Sequence, residues 1–219
     1  MPEQLNKVEL IGFYGGDESH ALSAWTSTSR DLTDEKRERI PKLLKMLAEN
    51  GHETPFEKSS IHFLCTTEIA THIHLIKHRI GVSVNGESAR YKELKDDKYY
   101  VPTDWDAEEK SKYTEHMETC LKRYHEVLTR LEKKGVSRKR AKESARMYVP
   151  YGNQLTADVM FNFRSFVHFL RLRYSTHAQL EVRELAGEML RLVKDTGQFD
   201  ATLEAFGLTV DGQLRGPFE

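Results

Sequence analysis

A chain of 219 residues is long enough for one well-buried core or two small ones. Its 33 Lys and Arg nearly cancel its 34 Asp and Glu, leaving a net charge of -1, so no global field draws it to nucleic acid or to an anionic membrane. With 38% hydrophobic residues and a mean hydropathy of -0.63, it reads as a soluble and rather polar protein. No apolar run approaches a membrane span, and the segment Met1 to Lys7 does not read as a signal peptide. The two cysteines, Cys65 and Cys120, fall in predicted regular elements and suit a reducing compartment, so a cytoplasmic location is expected.

Val8 to Tyr14 is apolar and aromatic, is bounded by Gly15-Gly16, and predicts a strand. Asp17 to Arg30 is rich in Ser and Thr and gives no clear period. Thr33 is placed to cap a helix with Asp34 and Glu35 in its first turn. Pro41 either interrupts that helix or opens a second one. Ile40, Leu43, Leu44 and Leu47 make one apolar face, and Gly51 is the expected stop. Ile61, Phe63 and Cys65 alternate with their neighbours as in a strand buried on one face. Thr67 is placed to cap a helix from about Glu68 to His78, with Ile69, Ile73 and Ile76 inward, so that Lys77, His78 and Arg79 emerge at its end. The partial negative charge of a helix C-terminus favours cations there.

Asp96-Asp97 and Pro102 mark a loop. The longest helix is expected from Asp106 to about Lys134, with an apolar stripe including Tyr113, Met117, Cys120, Leu121, Tyr124 and Leu128 that reads as core or subunit interface. Gly135 ends it. Ser137 restarts a short helix carrying Glu143 and Arg146 on one face, which stops before Pro150. A strand or extended segment is expected before Asn162, then helices over Arg164 to Tyr174 and His177 to Asp195, and a short helical piece in the tail from Gln198. No repeat and no linker divides the chain, so one domain over residues 1–219 is expected.

The stretch from Lys77 to Tyr91 concentrates chemistry. Lys77, Arg79 and Arg90 are cationic, and Glu87 is the one carboxylate. Ser83, Ser88 and Asn85 add neutral hydrogen bonds, and Gly81 and Gly86 let backbone N–H groups approach a ligand. Three cations in so short a span repel one another unless an anion sits between them, and an arginine fork suits phosphate oxygens. The segment reads as phosphate-handling, with a solvated charged turn as the bland alternative.

Other chemistries are weaker. His74 and His78 have chelating spacing, but no Asp or Cys completes a site, so no metal is expected. Cys65 and Cys120 sit in apolar patterns unlike an activated thiolate. Ser88 has no base partner in sequence and reads as a hydrogen-bond donor to phosphate rather than a nucleophile. The basic run from Lys133 to Arg146 lacks interleaved aromatics and predicts a solvated helix face rather than a nucleic-acid surface. Arg146 and Arg173 stand in otherwise apolar segments and need anionic partners, either internal carboxylates (Glu143 for Arg146) or a ligand. No Gly-x-Gly-x-x-Gly follows a strand, so no Rossmann site is indicated.

Lys77-His78-Arg79 followed by Ser88-Ala89-Arg90-Tyr91 resembles the signature of the flavin-dependent thymidylate synthases, which is Arg-His-Arg, seven residues, then Ser. Here a lysine replaces the first arginine and eight residues precede Ser88. Upstream, Gly51-His52-Glu53-Thr54-Pro55-Phe56-Glu57 is similar to a second segment of that family. Downstream, Glu143 to Arg146, Pro150, Asn162-Phe163-Arg164-Ser165, Leu172-Arg173 and His177-Ala178-Gln179 follow its order. Together the matches run from about Thr26 to Glu181.

The resemblance implies an α/β (α+β) fold with a mostly antiparallel sheet flanked by helices, assembled as a homotetramer. It implies methylation of dUMP to dTMP, with methylenetetrahydrofolate as carbon donor and FAD, reduced by NADPH, as hydride carrier. Carried over by residue, Ser29, Thr54, Lys77, His78, Arg79, Asn162, Phe163, Arg164, His168 and His177 would hold FAD, with Glu87 shared between cofactor and substrate. Lys77 would also serve the substrate, as would His74, Gly86, Ser88, Ala89, Arg90 and Arg146. Arg173 would meet the uracil and stabilise charge developing on it, and His52 would orient flavin or folate. His168 stands where the family usually has Asn, and His74 where it usually has Gln. The two departures around Lys77 and Ser88 motivate an alternative, a nucleotide- or flavin-binding homologue that has lost the reaction.

Overall fold

The computed structural model describes residues 5–95 and 98–208. The loop expected at Asp96-Asp97 and the Gly-Pro-containing end lie outside the described residues. Four strands, β1 (Lys7–Tyr14), β2 (Ser60–Glu68), β3 (Val82–Gly86) and β4 (Gln154–Phe161), form one sheet in the order β1-β2-β4-β3. The helices are α1 (Asp17–Trp25), α2 (Asp34–Glu49), α3 (Ile69–Ile76), α4 (Ala107–Lys133), α5 (Arg138–Ala145), α6 (Phe163–Arg173), α7 (Leu180–Lys194) and α8 (Asp200–Ala205), with 3-10 turns at Thr54–Glu57 and Arg146–Tyr148. Hydrogen bonds across the sheet fix its sense. Asn162 N–H donates to the Gly81 carbonyl at 3.1 Å and Glu87 N–H to the Thr156 carbonyl at 2.7 Å, so residue numbers rise on β3 as they fall on β4. The Thr66–Thr156 and His62–Asp158 side-chain bonds run the same way between β2 and β4. The sheet is antiparallel, as expected. No helix among the described residues is long and apolar enough to cross a membrane.

The alternation in β2 works as expected: Ile61, Phe63 and Cys65 are all fully buried. Several boundaries differ from the sequence reading, each for a local reason. Asp17 to Trp25 is helical although its period is weak. Asp17 has a tertiary task there, accepting the N–H groups of Ala201 and Thr202 at 2.9 and 2.8 Å and so capping α8 from far along the chain. Pro41 neither breaks nor restarts α2. Its ring is on the exposed face, and the helix runs through. Thr67 does not cap α3. The strand continues to Glu68, whose carboxylate accepts Thr71 N–H at 2.9 Å. α3 stops at Ile76, two residues before His78, and Val82–Gly86 is strand β3 rather than part of a loop. α4, capped by Asp106, and α6, capped by Asn162, begin close to where the sequence puts them. α7 begins at Leu180 rather than His177.

Contacts divide the described chain into two compact units. The first comprises 5–7, Cys65–Leu75 and Asn85–Ala157. In it, α5 packs on α4, and Tyr124, Leu128, Ala141, Ala145 and Leu94 form one buried cluster. Tyr99, Met117 and Leu121 form another. Cys120 does not join them. It is half-buried, with Sγ 3.6 Å from His116 Nε2.

The second unit comprises Val8–Leu64, Ile76–Val84 and 158–208. Its core is aromatic: Phe56, Phe63, Phe161, Phe163, Phe166, Phe169 and Phe199 are all fully buried. Each such ring contributes about 1.5–3 kcal/mol relative to exposure. His20 sits among them with both nitrogens bonded, to Thr202 Oγ1 at 3.0 Å and Ser59 Oγ at 2.9 Å. Thr202 Oγ–H donates to Asp17 at 2.5 Å, so it accepts from His20 Nδ1–H, and His20 Nε2 then accepts from Ser59. Burial pushes the His20 pKa down to about 4, in keeping with a neutral ring.

Candidate active site

In the second unit the chain leaves α3 and turns through Lys77 to Gly81 before entering β3. Gly81 has φ +66°, and a Cβ there would stand 2.5 Å from Asn162 Nδ2 and nearer still to Ser165 Oγ. Only glycine fits this turn. The turn is held from α6: Asn162 N–H donates to the Gly81 carbonyl, and Ser165 Oγ–H donates to the Ile80 carbonyl at 2.8 Å. Asn162 is itself fixed, its side chain accepting Ser165 N–H at 2.8 Å as the cap of α6. Ile80 and Gly81, next to Arg79, are therefore held by hydrogen bonds from the start of one helix.

Two cavities border this turn and share Ile80, Ser165 and His168. One, of about 220 Å³, is lined by Lys77, His78, Arg79, Val82, Leu172 and Arg173 besides those three. None of these described lining residues is a carboxylate. Lys77 and Arg79 are exposed and have no ion pair among the described residues. Arg173 is half-buried at the end of α6; burial pulls its pKa down, and its Nε–H donates to His78 Nε2 at 3.1 Å. His78 is buried, its ring against Phe169 and His168 with centroids 5.1 and 5.9 Å away.

The second cavity, of about 450 Å³, is lined by Glu53, Glu57, Gly81, Asn162, Arg164, Val167, Arg171 and Phe206 in addition to the shared three. Here Arg164 is already engaged, with Nη1 on Glu57 at 2.6 Å and Nε on Glu53 at 2.7 Å. The bond to Glu57, and then that to Glu53, raise its pKa further. Arg164 therefore stands as a neutralised fork rather than a waiting cation.

The sequence-assigned residues of this unit divide accordingly. Lys77, His78, Arg79, Asn162, Arg164, His168 and Arg173 converge on the turn and its cavities. His52, Thr54 and His177 are exposed and line neither cavity. Ser29 is also outside both, its Oγ–H donating to Asp31, which Lys36 holds at 2.6 Å. The Phe163 side chain belongs to the aromatic core, stacked on Phe199 with centroids 5.4 Å apart. Sequence reasoning missed Ser165, Glu53 and Glu57 as lining residues. Both glutamates lay inside a quoted motif, and their signal was a pair of carboxylates four apart.

In the first unit, Glu87 follows β3 and is held inside the protein. Lys92 and Lys98 donate to its carboxylate at 2.6 and 2.5 Å, and Thr156 N–H at 3.1 Å. Burial alone would raise the Glu87 pKa, but these bonds outweigh it and bring it down to about 2. Ser88 forms the next turn, its carbonyl accepting from Tyr91 and Lys92 N–H at 3.0 and 3.1 Å. Ala89 packs on the α4–α5 cluster. Arg90 Nε–H donates to Glu143 at 2.8 Å, and Arg140 reaches the other Glu143 oxygen at 3.5 Å. Glu143 thus partners Arg90 and Arg140 rather than Arg146, which is exposed and without an ion pair among the described residues. Gly86 lies near the His72 ring, where a Cβ would stand 3.5 Å from Cε1. His74 is half-buried on α3.

The family model described as thymidylate synthase complementing protein matches residues 9–196. A flavin-dependent thymidylate synthase of Clostridium tetani is 34% identical over 178 residues, 76% of this chain and 70% of the relative. One of Pseudothermotoga lettingae is 32% identical over 196 residues, 85% and 84% of the two chains. Among solved structures, the UMP/dUMP methylase PolB of Streptomyces cacaoi bound with 5-Br dUMP superposes with a TM-score of 0.77 at 25% identity, covering 98% of this chain and 97% of that one. The breadth of these matches and the order of the motifs agree, and the chain belongs to the thymidylate synthase complementing protein family, the flavin-dependent thymidylate synthases.

Proposed function

We propose that this protein is a flavin-dependent thymidylate synthase that converts dUMP to dTMP with methylenetetrahydrofolate as carbon donor, FAD as cofactor and NADPH as reductant. The observation that carries the reading is the carboxylate-free cavity at the Gly81 turn, in a chain of this family. A flavin dinucleotide brings a doubly charged pyrophosphate and several N–H and O–H donors, and the donor set here fits both. Lys77 and Arg79 supply charge without an ion pair among the described residues, and Glu53 and Glu57 supply acceptors. Gly81 brings backbone close to the ligand space without a side chain.

Lys77, His78 and Arg79 would hold the phosphates, and Asn162, His168, Thr54, Ser29 and His177 would add hydrogen bonds. Lys77 offers a point charge where a fork would give geometry. Arg164 would reach the cofactor only by exchanging a carboxylate for it, which makes Glu53 and Glu57 its storage partners. When bound, the flavin supplies the hydride. Ser88, Arg90 and Arg146 would bind the nucleotide phosphate, with His74, Gly86, Glu87 and Ala89 beside base and ribose. Arg173 would meet the uracil and stabilise negative charge on its oxygens, and His52 would orient the reacting carbon. The working form would be a cytoplasmic homotetramer.

The purified protein is expected to show flavin absorbance and to oxidise reduced flavin only when dUMP and methylenetetrahydrofolate are both present. Its gene is expected to rescue a thymidine-requiring cell. Flavin binding without either activity would favour the impaired homologue, and neither flavin nor activity would end the reading.

A further inference from the structure

We propose that His78 is a positioning residue for Arg173, presenting a lone pair that turns the arginine's fork toward its ligand. This rests on the reading of Arg173 as the group that meets the substrate base, and it adds how that group is aimed.

The geometry assigns the direction of the bond. The Nε–H of Arg173 can only donate, so the His78 Nε2 it reaches at 3.1 Å carries no proton. Nε is the guanidinium nitrogen nearest the main chain. Occupying it from within the protein leaves both terminal amino groups for a planar pair of ligand oxygens. The imidazole is a firm support. It is only 7% exposed and meets both Phe169 and His168 in edge-to-face contact. Its surroundings explain why an acceptor rather than a charge is needed. Among the described residues, the charged and titratable groups facing the cavity are Lys77 and Arg79 on its own segment and His168 and Arg173 on α6, and none of these is a carboxylate. A carboxylate at position 78 would bind Arg173 more strongly but would cancel the positive field that an anionic ligand needs. A neutral nitrogen acceptor orients the guanidinium and leaves its charge intact.

The test uses the flavin-loaded full chain and two variants of matched size. Gln places an oxygen acceptor near the position of Nε2, whereas Met fills the space without a strong acceptor. H78M is expected to raise the KM for dUMP about tenfold, the cost of one charge-assisted hydrogen bond. H78Q, which keeps an acceptor, is expected to raise that KM several-fold less than H78M does. In an R173A background the H78M effect should vanish, since there is nothing left to aim. Equal damage from Gln and Met, or undiminished damage in R173A, would overturn the proposal. A second readout needs no turnover. Long-range 1H–15N spectra should show His78 Nε2 as the unprotonated ring nitrogen, with a change in its shift in R173A, and a protonated Nε2 would also overturn the proposal. If the wild-type protein neither binds nor uses dUMP while Nε2 is found to accept from Arg173, the functional reading has failed and the positioning bond stands.

Discussion

Around Glu87, two lysines and a backbone N–H close on a single carboxylate. Around the Gly81 turn, Lys77, Arg79 and Arg173 border a cavity with no carboxylate among its described lining residues. The side chains are of the same kinds, and the difference lies in what the fold sets beside them. In the first region the protein has supplied its own counter-charge, and the cations are spent on holding a turn against β4. In the second it sets a half-buried arginine, a buried histidine and two exposed cations, with no anion among the described lining residues. Like charges held together without a partner are unfavourable, and a rigid backbone turn keeps them there. The contrast teaches that the number of cations in the stretch from Lys77 to Tyr91 does not tell which of them the fold provides with an internal partner. Among the described residues Lys77 and Arg79 have no ion pair, while Glu87 and Arg90 already hold internal partners.

The comparison can be broken most severely at Gly81. Gly81→Ala combines a side chain at φ +66° with a collision against Asn162 and Ser165. A loss of about 2–4 kcal/mol in urea unfolding is expected, together with loss of bound flavin. Retained flavin would mean that the turn does not shape the site. Next, Arg79→Ala should weaken flavin binding on the order of ten- to a hundredfold, with little change in stability, since no internal ion pair is lost. A stability loss as large as the binding loss would show that Arg79 is a structural cation like Lys98.

Glu87→Gln should behave in the opposite way, costing about 1–2 kcal/mol of stability because two lysines lose their charge partner. Its pH dependence carries a sign. The folded Glu87 carboxyl titrates near pH 2 against an ordinary value of 4.5, so its contribution is complete above about pH 4.5 and is lost as the pH falls toward 2. That part of the acid destabilisation should be missing from the variant, and identical acid profiles would refute the buried ion cluster. The smallest effect is expected from Glu143→Ala. Its pairs with Arg90 and Arg140 lie at the exposed surface, where solvent screening leaves them little share in stability. The same variant should sharpen the comparison if it releases Arg90 and alters nucleotide affinity more than stability.

Local pattern determined a good deal by itself. Alternation at Ile61, Phe63 and Cys65 gave β2, the stripe through Met117, Leu121 and Tyr124 gave α4, and Asn162 marked the start of α6, because periodicity and capping act within a few residues. The resemblance of the motifs then named the residues that converge on the turn. The sequence could not say which charges would find internal partners. Glu53 and Glu57 reach Arg164 across more than a hundred positions, and Glu143 chooses Arg90 over its own helix neighbour Arg146. Pairing of that kind is set by which strands and helices lie side by side, so only the tertiary structure decided that Lys77 and Arg79 remain open, that Arg164 is held in reserve, and that Arg173 leans on His78.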